Sequence, residues 1–445
     1  MDRRRFLSAA AGIAGAAALP APLRAQPSTD LAAAAVRAYL FAYPLVLVAI
    51  TERGQVAFSG RNRFVHDRAL ATPDDRFIVR PNVDTLYSSA FVDLTDGPVL
   101  LTIPSSAGRF YVCEVMDAYT NVFADPGTRT TGAAAQQVLF VPPGRAMNPP
   151  AGMTAVNAPT NACWVFPRVA LHAGADLAAA HAFQDGLGVA RLGETPLPGL
   201  DHPAADPTDR NALIAKMSPQ EFFTIAAHRL AGNAPEADDV AGLRDLAALG
   251  ITPGNDVDLA ALSPTARAAI TAAPAAALAQ ITGFTLPPQA YTPTRWLRPN
   301  RAIGRWGGND VLRAIVANYG LAANLPEDAI YFATAGNGTR PARLRFAAGA
   351  LPPADGFWSL TMYDTAGFLV ANAEQRYALR SGDPFARDRD GGLTLEIGPQ
   401  PPADAARRAN WLPSPAGPYT MLLRLYAPHT EAIDGGWIPP AVISA

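Results

Sequence analysis

"RPNVDTLYSSAFVDL", residues 80–94, decides the reading of this chain. It opens with a turn-forming Pro81-Asn82, sets Asp84 and Thr85 next, and runs straight into a strand pattern. Asn82 and Asp84 can each accept a hydrogen bond from the backbone two residues on, which is enough to turn the chain. Asp84 is also placed for chemistry, because Thr85 and Tyr87 follow at the mouth of the strand. Around this stretch, from about Asn62, the sequence breaks into short alternating runs punctuated by Pro, Gly and Asp: "PVLLTIP", "RFYVCEVMDAY", "AQQVLFVPPG" and "NACWVFPRVAL". That spacing predicts antiparallel β-structure of sandwich or jelly-roll type.

On the N-terminal side, "STDLAAAAVRAYLFAYPLVLVAITERG" predicts one amphipathic helix, capped at Ser28, Thr29 or Asp30 and stopped at Gly54. On the C-terminal side the period lengthens between about 174 and 319. "SPQEFFTIAAHRLAG" has Ser218 as N-cap, Pro219 in the first turn, Glu221 three residues after the cap and Gly232 at the end. "SPTARAAITAAPAAALAQITG" repeats the Ser-Pro entry at Ser263. Strands return from about Ala329, with "GFWSLTMYDTAGFLVAN" as a hairpin turning at 364–367, then "LTLEI" and "YTMLLRLYAP". The expected fold is mainly β with an α insertion: two jelly-roll-like antiparallel β-sandwich domains plus a helical segment. The expected boundaries are 1–25 for a leader, 26–173 for a β-sandwich with its leading helix, 174–325 for the helical section and 326–445 for the second sandwich.

With 445 residues the chain is long enough for two or three cores. A net charge of −2 supplies no basic face for phosphates, so a nucleic-acid partner is not expected. Lys216 is the single lysine, which argues against Schiff-base chemistry. "MDRRRFLSAAAGIAGAAALPAPLRAQP" has the twin arginines, short apolar run and small cleavage-site residues of a Tat export signal. A soluble exported protein starting near Gln26 is expected, in the periplasm or secreted. No later membrane span is expected, since "YLFAYPLVLVAI" is interrupted by Tyr43-Pro44 and is shorter than the roughly 20 residues a bilayer needs. Cys113 and Cys163 are too few for a metal cluster. Both a disulfide between them and two separate buried thiols fit their strand positions.

"RPNVDTLYSSAFVDL", "MDAYTNVF", "GTRTTG" and "NAPTNACWVFPRV" resemble the bacterial domain of unknown function 1254. "GFWSLTMYD", "NAEQRYAL", "NWLPSPAGPYTMLLRLY" and "GGWIPP" resemble domain of unknown function 1214, and "EFFTIAAHRL" and "GRWGGNDVLRAIVANYGLAANLPEDAIY" fit between them. The resemblance implies two jelly-roll-like β-domains with a helical insertion, often oligomeric and somewhat similar to bacterial peptide-N-glycosidase architecture, so a homo-oligomer is one expectation. It implies no established activity. The sequence departs from the pattern at "GNGTRPARLRFAAGALPP", where Arg340 and Arg343 replace a Gly-Asn-aromatic stretch.

No nucleophile elbow, HExxH, Walker loop or dinucleotide fingerprint is present. His66, His172, His181, His202, His228 and His429 are scattered without ligand spacing, so no metal or other cofactor is expected, although carboxylate-bound Ca²⁺ stays compatible with the acidic side chains. Strand alternation in "RFYVCEVMDAY" puts Glu114 on one face with Phe110, Val112 and Met116, and Asp117 on the other. Glu114 there is either a structural ion pair or a carboxyl of raised pKa. Asp117 ends the strand and leads into a loop with Tyr119, Thr120 and Asn121.

The expected site joins Asp84 and Asp117 as carboxylates at one sheet end with Arg129 as clamp. Asn82, Tyr87 and Tyr119 would bind substrate, together with Trp358, Arg376, Tyr377 and Trp411 of the C-terminal half. Arg424 shares a face with Thr420, Leu422 and Tyr426, which suits a cross-strand ion pair at least as well. The function expected is a hydrolase or related acid/base enzyme on a glycan or polar small molecule. The alternative is a non-catalytic ligand-binding or structural oligomeric protein.

Overall fold

Proline 44 does not end the first helix. In this computed structural model, which describes residues 30–75, 80–171, 176–203 and 209–444, the helix runs unbroken from Leu31 to Ser59 and stops before Gly60, whose φ is 76°. The sequence predicted an amphipathic helix that stops at Gly54, and both expectations are corrected. The reason is burial on every side: residues 38–48 are all buried, and a helix apolar all round belongs in the middle of a packed layer. Helices Pro219–Ala231, Val240–Ala248, Pro264–Thr282 and Asp310–Gly320 pack around it. Among the described residues it is the one helix long and apolar enough to cross a membrane, yet 72% of its most apolar window lies inside the protein. The leader expected at 1–25 falls outside the described residues.

The two Ser-Pro entries cap as the sequence predicts: Ser218 Oγ accepts from Glu221 N at 3.2 Å, and Ser263 Oγ accepts from Ala266 N at 3.2 Å.

Among the described residues, four sheets form two sandwiches. The first pairs a six-stranded sheet, in the order Leu200–Asp201, Val65–His66, Thr85–Asp93, Ala162–Ala170, Tyr111–Met116 and Val122–Ala124, with a four-stranded one, Thr154–Asn157, Gln136–Val141, Val99–Ile103 and Gly188–Arg191. Leu86, Ala90, Cys113, Val115, Val165 and Leu101 fill the space between them. The second sandwich pairs Ala329–Asn337, Pro418–Pro428, Ala354–Tyr363 and Ala378–Arg380 with Trp411–Pro413, Leu393–Gly398, Ala342–Phe346 and Val442–Ser444. Its core includes Phe332, Trp358, Leu360, Leu423, Leu344 and Leu395. Among the described residues, pairing is antiparallel except at three places, one of them the Gln136–Val141 strand against Thr154–Asn157, where the Pro-rich loop carries the chain back to the same end.

The two sandwiches meet through their other faces. Phe110, Val112 and Ala170 of the first pack on Ala329, Tyr426 and Ala427 of the second, and Val83 packs with Tyr363, Leu369, Ala378 and Leu422. This seam positions the candidate site.

Cys113 and Cys163 are both free and buried in the first sandwich, which settles the open alternative toward separate thiols. Native protein is therefore expected to leave both thiols unreacted with a bulky disulfide reagent, and denatured, unreduced protein to titrate as two. Fewer than two thiols after denaturation would contradict this.

Candidate functional site

The turn that opens the Thr85–Asp93 strand is made by Asn82. Its side-chain oxygen accepts from Asp84 N at 2.6 Å and Thr85 N at 3.3 Å, while its amide donates to the Tyr426 hydroxyl at 2.9 Å. Asp84 is thereby released to reach across the seam. Its carboxylate accepts from Ser359 Oγ at 2.5 Å, Tyr426 Oη at 3.1 Å and Arg380 Nε at 3.1 Å, and it has no exposed surface. Arg380 Nη2 also donates to the Val83 carbonyl at 2.6 Å, so one guanidinium clamps two consecutive residues of the turn.

Beside it Arg424 is 3% exposed and has no carboxylate within ion-pair distance among the described residues. It donates to Thr361 Oγ1 at 2.8 Å, Tyr363 Oη at 2.6 Å and the Arg80 carbonyl at 3.2 Å, and it lies 5.7 Å from the rings of Tyr331 and Tyr363. Burial works against its charge, but the surrounding tyrosines and Asp84 outweigh it, and its pKa is raised. The face that alternation assigned to Arg424 is correct, but the cross-strand ion pair is not formed among the described residues: its partners are hydroxyls, a carbonyl and ring faces.

Further along the seam lies Glu114, wholly buried on the outer face of the six-stranded sheet. Arg168 Nε donates to its Oε2 at 3.0 Å, and Asn324 Nδ2 donates to its Oε1. Tyr331 in turn donates to Asn324 Oδ1 at 2.8 Å, which orients that amide. Burial pushes Glu114 up to about 7, against the opposing pull of Arg168 and Asn324. Arg168 also donates to Tyr87 Oη at 3.4 Å and to the Ala322 carbonyl, and its guanidinium carbon is 5.0 Å and 5.3 Å from the ring centroids of Tyr87 and Phe166. Both rings are half-buried. The pair thus sits under two partly exposed aromatic side chains, with Arg168 keeping 8% side-chain exposure.

On the Asp84 side the seam borders a cleft of about 740 Å³, whose walls include Val83, Arg376, Tyr377, Arg380 and Asp383. Arg376 Nη1 donates to the carbonyls of Arg408 and Trp411 at 3.1 Å and 3.0 Å. Arg376 and Tyr377, two residues expected to bind substrate, therefore do line a cavity.

The expected Asp84–Asp117 pair is not assembled. Thr85 stands opposite Ala170 and Met116 opposite Trp164, six residues apart on the shared Ala162–Ala170 strand. At about 3.3 Å per residue the two carboxylates flank opposite ends, roughly 20 Å apart. Asp117 instead accepts from Tyr119 N, Asn121 N and Asn121 Nδ2, each at 2.8 Å, and burial raises its pKa to about 6. Tyr119 is fully buried and donates to the Asn233 carbonyl at 2.6 Å. Arg129 is held by Asp328 at 2.9 Å and by Asp125, touching neither carboxylate of the expected pair. Trp358 is a core residue stacked on Phe385, and Trp411 is buried with its indole donating to the Gly398 carbonyl, so neither lies on a binding surface.

Asn82, Asp84 and Tyr87 do join the seam. Sequence reasoning missed Arg168, Asn324, Ser359 and Arg380. An arginine inside the apolar run "NACWVFPRVAL" was the available signal for the first. No cluster of three or more His, Cys, Asp or Glu side chains able to hold a metal occurs among the described residues.

Two family models match the chain: "Protein of unknown function (DUF1254)" over residues 61–191 and "Protein of unknown function (DUF1214)" over residues 332–430. The Asp84 end of the seam joins these two regions, while Asn324 and Tyr331 beside Glu114 lie just before the second. No curated protein matches. The crystal structure of the VPA0106 protein from Vibrio parahaemolyticus is similar over 94% of this chain and 100% of its own, with a TM-score of 0.69 at 19% identity, which shows the shared fold. An uncharacterized protein from Burkholderia cenocepacia aligns over 94% of both chains with a TM-score of 0.44 at 13% identity.

Proposed function

We propose that this chain, a DUF1254 domain followed by a DUF1214 domain, is an acid/base enzyme acting on a polar small molecule, with Glu114 as the proton-transferring group. One arrangement supports it: Glu114 and Arg168 are paired beneath the half-buried rings of Tyr87 and Phe166, and burial pushes the carboxyl up to about 7, in the range that suits a general acid or base at neutral pH. Glu114 takes the role expected of Asp84 and Asp117. Arg168 would hold an oxyanion of the substrate, and Tyr87 would orient it from the half-open side. Hydrolysis of a glycan or another polar small molecule, outside the cytoplasm after export by the leader at 1–25, is the reaction class that uses such a carboxyl to protonate a leaving group.

The test is Glu114→Gln in a hydrolysis screen of glycosides and small polar esters and amides. A substrate turned over by the native chain should lose at least about 100-fold in kcat with the variant, circular dichroism unchanged. An unaltered rate would remove Glu114 from the chemistry.

A second reading, non-catalytic ligand binding, is favoured by the saturation of both Glu114 oxygens while the 740 Å³ cleft stands open beside Arg380. Under it, Glu114→Gln leaves ligand affinity untouched, and Arg376→Ala weakens it about tenfold.

A further inference from the structure

A second basin lies away from the seam, on the solvent side of the second sandwich. In the paired strands Ala342–Phe346 and Leu393–Gly398, alternation sends Leu344, Phe346, Leu393 and Leu395 into the core. It leaves Arg343 and Arg345 outside, opposite Glu396 and Thr394. The edge strand Val442–Ser444 adds Ile443 beside Arg343, and Ile443 is 66% exposed. The short helix Ala405–Ala409 brings Arg407 Nε to Glu396 Oε1 at 2.7 Å, while Arg343 Nε reaches Oε2 at 3.3 Å.

Glu396 is the organising group. Its side chain is 6% exposed. Burial would raise its pKa, but the hydrogen bonds from Arg407 and Arg343 outweigh that and hold it below its ordinary value. A fixed buried charge therefore grips two guanidinium groups by Nε, and their Nη groups make no hydrogen bond among the described residues. Arg387, exposed at the rim, has neither ion pair nor hydrogen bond among the described residues. Arg345 is engaged by Asp388 and Asp390. The basin encloses about 620 Å³ and is lined by four arginines against Asp388 and Glu396, with Ala386, Ala406, Pro440, Ala441 and Ile443 as apolar wall. It is locally positive in a chain of net charge −2.

We propose that this basin binds an organic anion: a carboxylate or phosphate head on an apolar body. Arg343, Arg387 and Arg407 take the head, since a guanidinium fork matches either oxyanion. Ile443, Pro440 and Ala441 take the body, and the volume is that of a small-molecule site. The basin shares no residue with the Glu114 centre, so it stands or falls separately.

The test is titration calorimetry of the full chain with hexyl phosphate, hexanoate, inorganic phosphate and hexanol. At least one organic anion should bind about tenfold more tightly than inorganic phosphate or hexanol. Whichever anion binds tighter identifies the head group, and equal binding shows that the site reads charge alone. Arg387→Glu should weaken the binding at least about tenfold, and Ile443→Ser should weaken the organic anions but not inorganic phosphate. Arg387 has no partner to lose, so its reversal leaves the fold intact, and Glu114→Gln should bind like the native chain. No preference for the organic anions, or unchanged affinity in Arg387→Glu, overturns the proposal.

Discussion

Asp84→Ala is expected to lower the free energy of unfolding by about 3 kcal/mol, measured by urea denaturation at neutral pH. The cost does not come from the turn, which Asn82 makes alone. It comes from what is left behind: Arg380 loses its anion, and Ser359 and Tyr426 lose their acceptor inside a closed seam. Arg380 keeps 24% side-chain exposure, so water relieves part of the penalty, which places the estimate at the lower end for breaking a buried pair. Asp84→Asn should cost about half as much, because its oxygen can still face Arg380 while its amide donates to the two hydroxyls. A loss within about 0.5 kcal/mol for the alanine variant, the range of an ordinary surface change, would show that Asp84 does not tie the two sandwiches together.

The second large effect concerns pH. Glu114 is raised to about 7 in the native state from an ordinary value of 4.5. The folded chain therefore holds a proton that the unfolded chain releases, so this contribution is complete below about pH 4.5 and is lost as pH rises through 7. Comparing the native chain with Glu114→Gln isolates it. Between pH 4.5 and 7.5 the native chain should lose up to about 3 kcal/mol relative to the variant. The native profile alone is less informative, because His66 runs the other way. Burial, together with the charge of Arg68, lowers its pKa to about 4, so its contribution is lost as pH falls from 6.5 toward 4. A stability difference that stays flat across this window would mean that Glu114 is ionised throughout, paired to Arg168, and would also remove the basis for its acid/base role.

Much of the fold was legible because alternation and capping are local. The runs around residues 80–94 and 109–119 became strands, the Ser-Pro entries became N-caps, and Glu114 took the outer face of its strand while Asp117 fell in the turn after it. The assembled site was not legible, because its bonds span the chain. Asp84 meets Ser359 across 275 positions and Tyr426 across 342, and no local pattern encodes which sheet face will meet which. The same limit misplaced Asp117: its acidic character and loop position were correctly read, but its carboxylate is consumed by the amides of its own turn. Pro44 shows the converse case, a strong local breaking signal overruled by packing on all sides.

The buried first helix also constrains how the chain comes into being. It is complete at Ser59, but the helices that enclose it start only at Arg210 and Pro219 and continue to Gly320. At ribosomal speeds of about 5–20 residues per second, the apolar stretch 38–48 waits on the order of ten seconds or more before its shelter is made. During that interval the surfaces those later helices will cover are open to the surroundings of the growing chain.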